Sequence, residues 1–99
     1  MSQIQGLMRA IALDQFGDLD TLKLQTLPIP EIGPTEVLLR VHAAGVGAWD
    51  PFEREGGYAT MMGTKPTFPY ILGSEGSGVV AEVGDDVKRF KPGDRVYAS

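Results

Sequence analysis

The chain has 99 residues, enough for one small domain that buries roughly 60–68% of its unfolded surface. Its formal net charge is −4 and its nine Lys and Arg are dispersed, which argues against a surface that binds nucleic acid. Cysteine is absent, so disulfides and thiolate zinc ligands are excluded. The chain has neither a membrane-length apolar run nor the apolar core of a signal peptide, so we expect a cytoplasmic protein.

Alternating apolar residues predict three strands in the first half of the chain, at residues 8–14, 22–28 and 35–46. Between the second and the third lies LPIPEIGP, whose prolines fix φ and lack an N–H, so this segment is expected to cross the surface outside any central strand. The only histidine, His42, falls on the polar face of the third strand and is most simply a surface residue.

The period changes after Gly47. AWDPFEREG (48–56) predicts one or two turns of helix, with Asp50 as its N-terminal cap, Pro51 near its start and glycine at its end. Trp49 and Phe52 lie at helical spacing, which favours burial in the core over stacking on a substrate. The following GGYATMMGTKPTFPY (56–70) has three glycines, two prolines and no period, and is predicted to be a mobile loop.

The last third of the chain begins with GSEGSGVVAEVG (73–84). Residues 76–81 fit the G-x-G-x-x-G/A dinucleotide fingerprint, which requires a strand before its first glycine and a helix after its last. Here the residues that follow are β-branched and alternating, which predicts a strand instead. We therefore interpret these glycines as sites of positive φ or of close backbone contact, namely Gly73, Gly76 and Gly78. KPGD (91–94) then predicts a type II turn, and RVYAS (95–99) a short final strand.

These stretches together resemble the N-terminal GroES-like domain of the medium-chain dehydrogenase/reductase family, which includes alcohol dehydrogenases and quinone oxidoreductases. The most specific part is P-x-x-x-G-x-E-G-x-G-V-V-x-x-V-G, followed by F-K-P-G-D-R-V. The resemblance covers residues 8–99 and leaves 1–7 as an N-terminal extension. It implies a mainly β fold, a GroES-like partly open β-barrel with one short helix, whose partner Rossmann domain is absent from this chain.

The resemblance also bears on metal binding. In the zinc-dependent branch, cysteine follows the third strand, and the glycine-rich segment supplies histidine and then glutamate. Gly47 and Ser74 hold the cysteine and histidine places here. The remaining candidates, Asp50, Glu75 and His42, do not make a zinc site of normal composition. We therefore expect no metal, as in the zinc-independent branch, where NADPH delivers hydride directly to a quinone or an activated alkene.

The resemblance suggests candidate residues without assigning catalytic roles to them. Glu75 either has a chemical role or accepts bonds from backbone N–H groups or an arginine, and Ser74 either lines the cleft near the nicotinamide or is a solvated loop serine. The loop that borders the substrate cleft in the family is either an adaptable, Met-rich apolar surface or a disordered tip. The cleft candidates are Gly47, Asp50, Ser74 and Glu75, and the substrate-loop candidates are Tyr58, Met61 and Met62.

The leading functional hypothesis is the substrate-side domain of an NADP-dependent oxidoreductase that reduces a quinone, enone or carbonyl compound. These 99 residues are expected to bind no NADPH and to be inactive alone, and the choice between NADP and NAD stays open. The apolar flank left by the missing domain is expected to promote homo-oligomers. The alternative is a free-standing GroES-like binding or assembly module without enzymatic activity, and a third hypothesis is a zinc alcohol dehydrogenase that recruits its metal unusually.

Overall fold

The computed structural model describes residues 4–99 of the chain. These form a two-stranded sheet, in the order β1-β2, and a three-stranded sheet, in the order β3-β4-β5, and the two are not closed into a barrel. The mainly β, partly open fold predicted from the sequence is thereby confirmed. The elements are β1 (Leu7–Ala12), a 3-10 turn (Leu19–Thr21), β2 (Lys23–Pro28), β3 (Val37–Ala44), α1 (Asp50–Arg54), α2 (Gly57–Met62), β4 (Gly76–Val83) and β5 (Arg95–Ala98).

The chain divides into two compact units. The first comprises the described residues up to Met8 together with Pro28–Gly45 and Ser74–Ser99, and it contains the three-stranded sheet. The second comprises Arg9–Leu27 and Val46–Gly73, and it contains both α-helices. The chain passes from one unit to the other immediately after Gly45 and again immediately after Gly73, and two of the cleft candidates, Ser74 and Glu75, follow that second crossing.

β4 is the central strand of the first unit. It pairs antiparallel with β3, from Val37↔Val83 to Ala44↔Gly76, and with β5, from Gly76↔Ala98 to Val79↔Arg95. The β3–β4 register shifts twice, between Leu38 and Leu39 and between Val41 and Ala43. Such bulges add twist, and they interrupt the strict alternation from which β3 was predicted.

The glycine-rich segment runs through β4 as a continuous strand. No helix begins after the last position of the fingerprint, so these residues do not present the free N–H groups that would hold a pyrophosphate. Gly73 has φ +93°, and at Gly78 a Cβ atom would overlap the backbone carbonyl of Arg40 on β3. The prediction is confirmed for Gly73 and Gly78 but is wrong for Gly76, which has no positive φ and where a Cβ atom would meet only the Ala43 carbonyl oxygen at 3.4 Å.

The turn at residues 91–94 also has its predicted form. Gly93 has φ +97°, and the Asp94 N–H donates to the Lys91 carbonyl over 3.1 Å. The Asp94 carboxylate closes the turn from the other side, because its Oδ2 accepts the Lys91 N–H at 3.0 Å. Positive φ at the third turn position together with this backbone bond is the type II pattern.

The core of the second unit forms around Leu13, which is 0% exposed. Its N–H donates to the Tyr70 carbonyl over 2.9 Å, and the Tyr70 N–H donates back to the Leu13 carbonyl over 2.8 Å. The Phe16 ring packs edge-on against Tyr70 at 5.7 Å and against Phe68 at 5.2 Å between centroids. Two backbone bonds and an aromatic cluster thus join the residue after β1 to the segment that leads toward β4.

One element differs from the prediction. Residues 57–62, expected to belong to a loop, form α2, so residues 4–99 contain two short α-helices where one was predicted. Gly56 (φ +85°) and Gly63 (φ +66°), both in the left-handed conformation, bound this helix. The glycines therefore mark its ends, and the Ala and Met residues between them have good helix propensity.

The contact between β4 and β3 predicts different effects for two neighbouring glycines. Gly78→Ala places a methyl group against the Arg40 carbonyl, and overpacking of this kind should lower the free energy of unfolding by about 1–3 kcal/mol. Gly76→Ala is the matched control, because its methyl group would meet only the Ala43 carbonyl oxygen at 3.4 Å, an ordinary contact. We expect its effect to stay within about 1 kcal/mol. Urea denaturation measures both, and equal losses would contradict the close-approach explanation.

The turn at residues 91–94 predicts a pH-dependent contribution to stability. The backbone N–H and then the side chain of Lys91 lower the pKa of Asp94 below its ordinary value of 3.8. A carboxyl with a lowered pKa stabilises the fold above its unfolded-state pKa, and this contribution is lost as the pH falls through the folded-state value. Asp94→Asn keeps an oxygen acceptor but cannot ionise. The stability difference between the wild type and this variant should therefore shrink below about pH 4, as followed by urea midpoints. A constant difference down to strong acid would contradict it.

Candidate functional site

Asp50 and Gly47 are joined by reciprocal hydrogen bonds. The Gly47 N–H donates to Asp50 Oδ2 over 3.1 Å, and the Asp50 N–H donates to the Gly47 carbonyl over 3.2 Å. Asp50 is the first residue of α1, Trp49 occupies the cap position, and no side chain caps the helix. The prediction of Asp50 as the helix cap is therefore wrong, because its carboxylate bonds the turn before the helix. Pro51 does lie in the first turn, where no intrahelical N–H is needed.

Gly47 itself contributes only its backbone to the second unit. A Cβ atom at this position would meet nothing within 4 Å, so the site is open. The position that carries cysteine in the zinc-dependent branch could thus accommodate a side chain, but the sequence supplies none. The chemistry available here is the half-buried carboxylate of Asp50, already engaged by the turn.

The predicted substrate-loop residues lie on α2, also in the second unit. Met61 and Met62 are 65% and 68% exposed, and Tyr58 is half-buried. The Tyr58 ring packs edge-on against Phe52 at 5.0 Å, and Phe52 packs on Trp49 at 6.4 Å between centroids. We call Trp49, Phe52 and Tyr58 the aromatic row.

The aromatic row lies on the surface of its unit. Trp49 is 69% and Phe52 is 37% exposed, so the prediction that both would be buried in the core is wrong. The rings bury part of their apolar surface against one another in edge-to-face contacts, because helix α2 places Tyr58 against Phe52. With the two methionines, the row gives this unit an exposed, polarisable apolar surface.

Ser74 and Glu75 belong to the first unit. Ser74 is exposed, and its hydroxyl has no hydrogen-bond partner within residues 4–99. The Glu75 carbonyl accepts the Gly45 N–H at 3.1 Å, and Glu75 Oε2 lies 2.8 Å from the point where a Cβ of Gly45 would stand. Glu75 therefore contacts Gly45 through both its backbone and its side chain. In the described chain, its carboxylate takes no bond from a backbone N–H or an arginine, which was one of the two sequence interpretations.

Glu53 and Arg54 of α1 are the residues that sequence reasoning missed. Glu53 Oε1 accepts the Gly73 N–H at 3.0 Å. Arg54, whose side chain is 12% exposed, donates through Nε to the Gly17 carbonyl over 3.0 Å. Both resemble solvated helix charges in the sequence, and only tertiary structure shows their partners.

Burial raises the pKa of Tyr70, and the interaction with the nearby Glu53 carboxylate raises it further. The neutral phenol is therefore favoured over the phenolate.

Within residues 4–99, no three side chains of the metal-ligating types are grouped in a way that could hold an ion. His42 is exposed on β3. In the same part of the chain, no helix combines the length and the apolar character needed to cross a bilayer.

Comparison with known proteins gives consistent matches. The alcohol dehydrogenase GroES-like domain family matches residues 33–99. Quinone oxidoreductase of Mus musculus is 42% identical over 100 residues, covering 98% of this chain and 28% of the mouse protein. A quinone oxidoreductase structure from Pseudomonas syringae has a TM-score of 0.81 at 37% identity, covering 90% of this chain and 26% of that one.

A third match is to a solved structure that contains metal ions. The cobalt- and zinc-bound thermostable alcohol dehydrogenase from Pyrobaculum aerophilum has a TM-score of 0.79 at 40% identity, and the match covers 93% of this chain and 26% of that one. Across these matches, the chain spans little more than a quarter of the length of its relatives.

The Gly47–Asp50 turn predicts how substitutions at Asp50 affect stability. Asp50→Ala removes the acceptor of the Gly47 N–H and should lower the free energy of unfolding by about 0.5–1.5 kcal/mol. Asp50→Asn keeps an oxygen at the same place and should cost less than half of that. Thermal and urea unfolding measure both. Equal losses in the two variants would show that the hydrogen bond to Gly47 does not account for the role of Asp50.

Proposed function

This chain belongs to the alcohol dehydrogenase GroES-like domain family, and from that membership we propose that it is the substrate-side domain of an NADPH-dependent reductase. Its substrates would be small planar acceptors, namely quinones, enones or related carbonyl compounds. We propose that the 99 residues are catalytically incomplete and act, in the cytoplasm, together with a nucleotide-binding domain.

The observation that carries this proposal is how little of the apolar surface the described residues bury. Ala12, Leu13 and Val80 are the hydrophobic side chains that are fully buried, whereas Val46, Trp49 and many others are mostly exposed. A domain that functions alone normally covers its large apolar side chains, and exposed patches of this kind mark interaction or ligand surfaces. Since the relatives have more than three times this length, further chain is the natural cover.

The described residues do not fit a dinucleotide. Its pyrophosphate requires backbone N–H groups at the start of a helix, and the glycines that match the fingerprint lie in β4, where their N–H and carbonyl groups face neighbouring strands. We therefore assign nucleotide binding to sequence outside these 99 residues.

The role proposed for this chain is to hold the acceptor and exclude water. The aromatic row and the two methionines offer flat and polarisable contacts to a planar substrate, and such contacts orient it without donating protons. Hydride transfer itself is chemistry that a bound nicotinamide supplies. The protein part of that reaction is orientation in a site from which water is excluded.

We propose that the reductase works without zinc. Gly47 has no side chain, and the hydroxyl of Ser74 is a poor ligand beside the usual thiolate and imidazole. The zinc-bound relative from Pyrobaculum aerophilum keeps a metal-dependent dehydrogenase as the second candidate. Metal analysis of the purified active protein separates the two, because stoichiometric zinc would contradict our proposal.

The experiment that tests the proposed function uses a fusion protein in which this chain replaces the matching 28% of mouse quinone oxidoreductase. We expect the fusion to bind NADPH and to reduce a quinone, and the 99-residue chain alone to do neither. NADPH fluorescence titration and absorbance at the nicotinamide band measure this. NADPH binding by the chain alone, or a folded fusion without quinone reduction, would contradict the proposal. Reading the gene downstream of the Ser99 codon is an independent check, since a stop codon there favours the free-standing module.

The substrate surface predicts a selective change in KM. In the fusion, Met61→Ala combined with Met62→Ala should raise the KM for the quinone roughly 10-fold by removing apolar contacts, and should leave the KM for NADPH unchanged. Leu19→Ala is the control, because Leu19 is equally exposed at 70% but lies on the 3-10 turn. If the control and the double variant behave alike, α2 does not contact the substrate.

A further inference from the structure

Met61 and Met62 differ from the other methionine that the structure describes. They are 65% and 68% exposed and lie side by side at the end of α2, whereas Met8 on β1 is half-buried. A thioether sulfur is oxidised most readily where an oxidant in solution can reach it. Exposure therefore separates the two methionines of α2 from Met8 as targets of oxidation.

The backbone that carries the two methionines is held without the help of their side chains. The N–H groups of Gly63 and Thr64 both donate to the Ala59 carbonyl, the second over 3.0 Å. Gly63 supplies the left-handed conformation, φ +66°, that ends a helix in this way. None of the six residues of α2 is buried. An oxygen atom added to either sulfur therefore disturbs no core, and the helix can stay folded.

The two sulfurs belong to the apolar surface of the second unit. Tyr58 precedes Met61 and Met62 by three and four residues, so these positions are neighbours on one side of the helix. The Tyr58 ring in turn packs on Phe52 at 5.0 Å between centroids, so the methionines adjoin the aromatic row. A polar group at the two sulfurs would thus change the surface that is proposed to hold the acceptor.

We propose that Met61 and Met62 form an oxidation site, at which hydrogen peroxide converts the apolar acceptor surface of the reductase into a polar one and weakens acceptor binding. The effect on binding rests on the proposed function, because only a reductase has an acceptor at this surface. The oxidation itself depends on the exposure of the two sulfurs.

The reaction consumes one molecule of hydrogen peroxide for each sulfur. A lone pair of the thioether sulfur attacks one peroxide oxygen, an S–O bond forms, and the O–O bond breaks. The other oxygen takes the proton from the transferred oxygen and leaves as water. Sulfur loses two electrons and the peroxide gains them. The product is methionine sulfoxide, a polar and chiral side chain, and methionine sulfoxide reductases return it to methionine.

Two variants separate oxidation from the loss of apolar contacts. Met61→Leu combined with Met62→Leu keeps two apolar side chains of similar volume but removes both sulfurs. Met8→Leu is the matched control, because it removes a half-buried sulfur on another element. Exchange of methionine for leucine is among the best tolerated substitutions, so both variants should fold.

The first measurement uses the 99-residue chain and needs no activity. During treatment with hydrogen peroxide, peptide mass spectrometry should show sulfoxide forming at Met61 and Met62 about 10-fold faster than at Met8. The urea midpoint of the chain oxidised at α2 should equal that of the untreated chain, because no residue of α2 is buried. Equal rates at all three methionines, or unfolding on oxidation of α2, would overturn the proposal.

The second measurement uses the fusion protein. Peroxide treatment should raise the KM for the quinone about 10-fold and leave the KM for NADPH unchanged, because apolar contacts to the acceptor are lost. The double leucine variant should show no rise, Met8→Leu should show the full rise, and methionine sulfoxide reductases should reverse it.

Two results with the fusion would overturn the role of this site. One is an equal rise of KM in the double leucine variant. The other is an active wild-type fusion whose KM for the quinone stays constant although Met61 and Met62 are oxidised. An inactive wild-type fusion would instead refute the proposed function, and the oxidation rates in the 99-residue chain would still decide whether α2 carries an oxidation site.

Discussion

The close approach of β4 to β3 at Gly78 is the constraint on which the first unit depends. At that point the strand backbones leave no room for a Cβ atom, and β4 pairs with β3 on one side and β5 on the other. A side chain there would have to displace the Arg40 carbonyl and with it the pairing across the central strand. Glycine at position 78 therefore permits the close approach of β4 to β3. The match of residues 76–81 to the dinucleotide fingerprint is a coincidence of composition.

A second principle recurs in the turns. At Gly33–Glu36, Gly47–Asp50 and Lys91–Asp94, the fourth residue donates its N–H to the carbonyl of the first, and its carboxylate accepts the N–H of the first. Each turn is thus closed from both sides by one acidic residue. The carboxylates of Glu36, Asp50 and Asp94 therefore have structural roles in these turns.

Much of the fold could be predicted because its signals are local. Period-two alternation located β3 and β4, and Pro-Gly predicted the turn at residues 91–94. The predictions were wrong where glycine can either end a helix or belong to a loop, and where tertiary contacts determine the burial of a side chain. Gly56 and Gly63 bound α2 instead of marking a loop, and Trp49 packs on the surface against Phe52. The hydrogen-bond partner of Glu53, Gly73, lies 20 residues away, and no periodic pattern encodes a contact of that kind.

Each unit has its own polar contacts beside the candidate residues. Gly45 is bonded to Glu75 within the first unit, and Gly73 to Glu53 within the second. In the second unit, Trp49, Met61 and Met62 leave much of their apolar surface exposed. A fully self-contained domain would use those side chains as its core. Here Trp49 and the two methionines of α2 stay exposed, which leaves these apolar side chains free to contact another molecule.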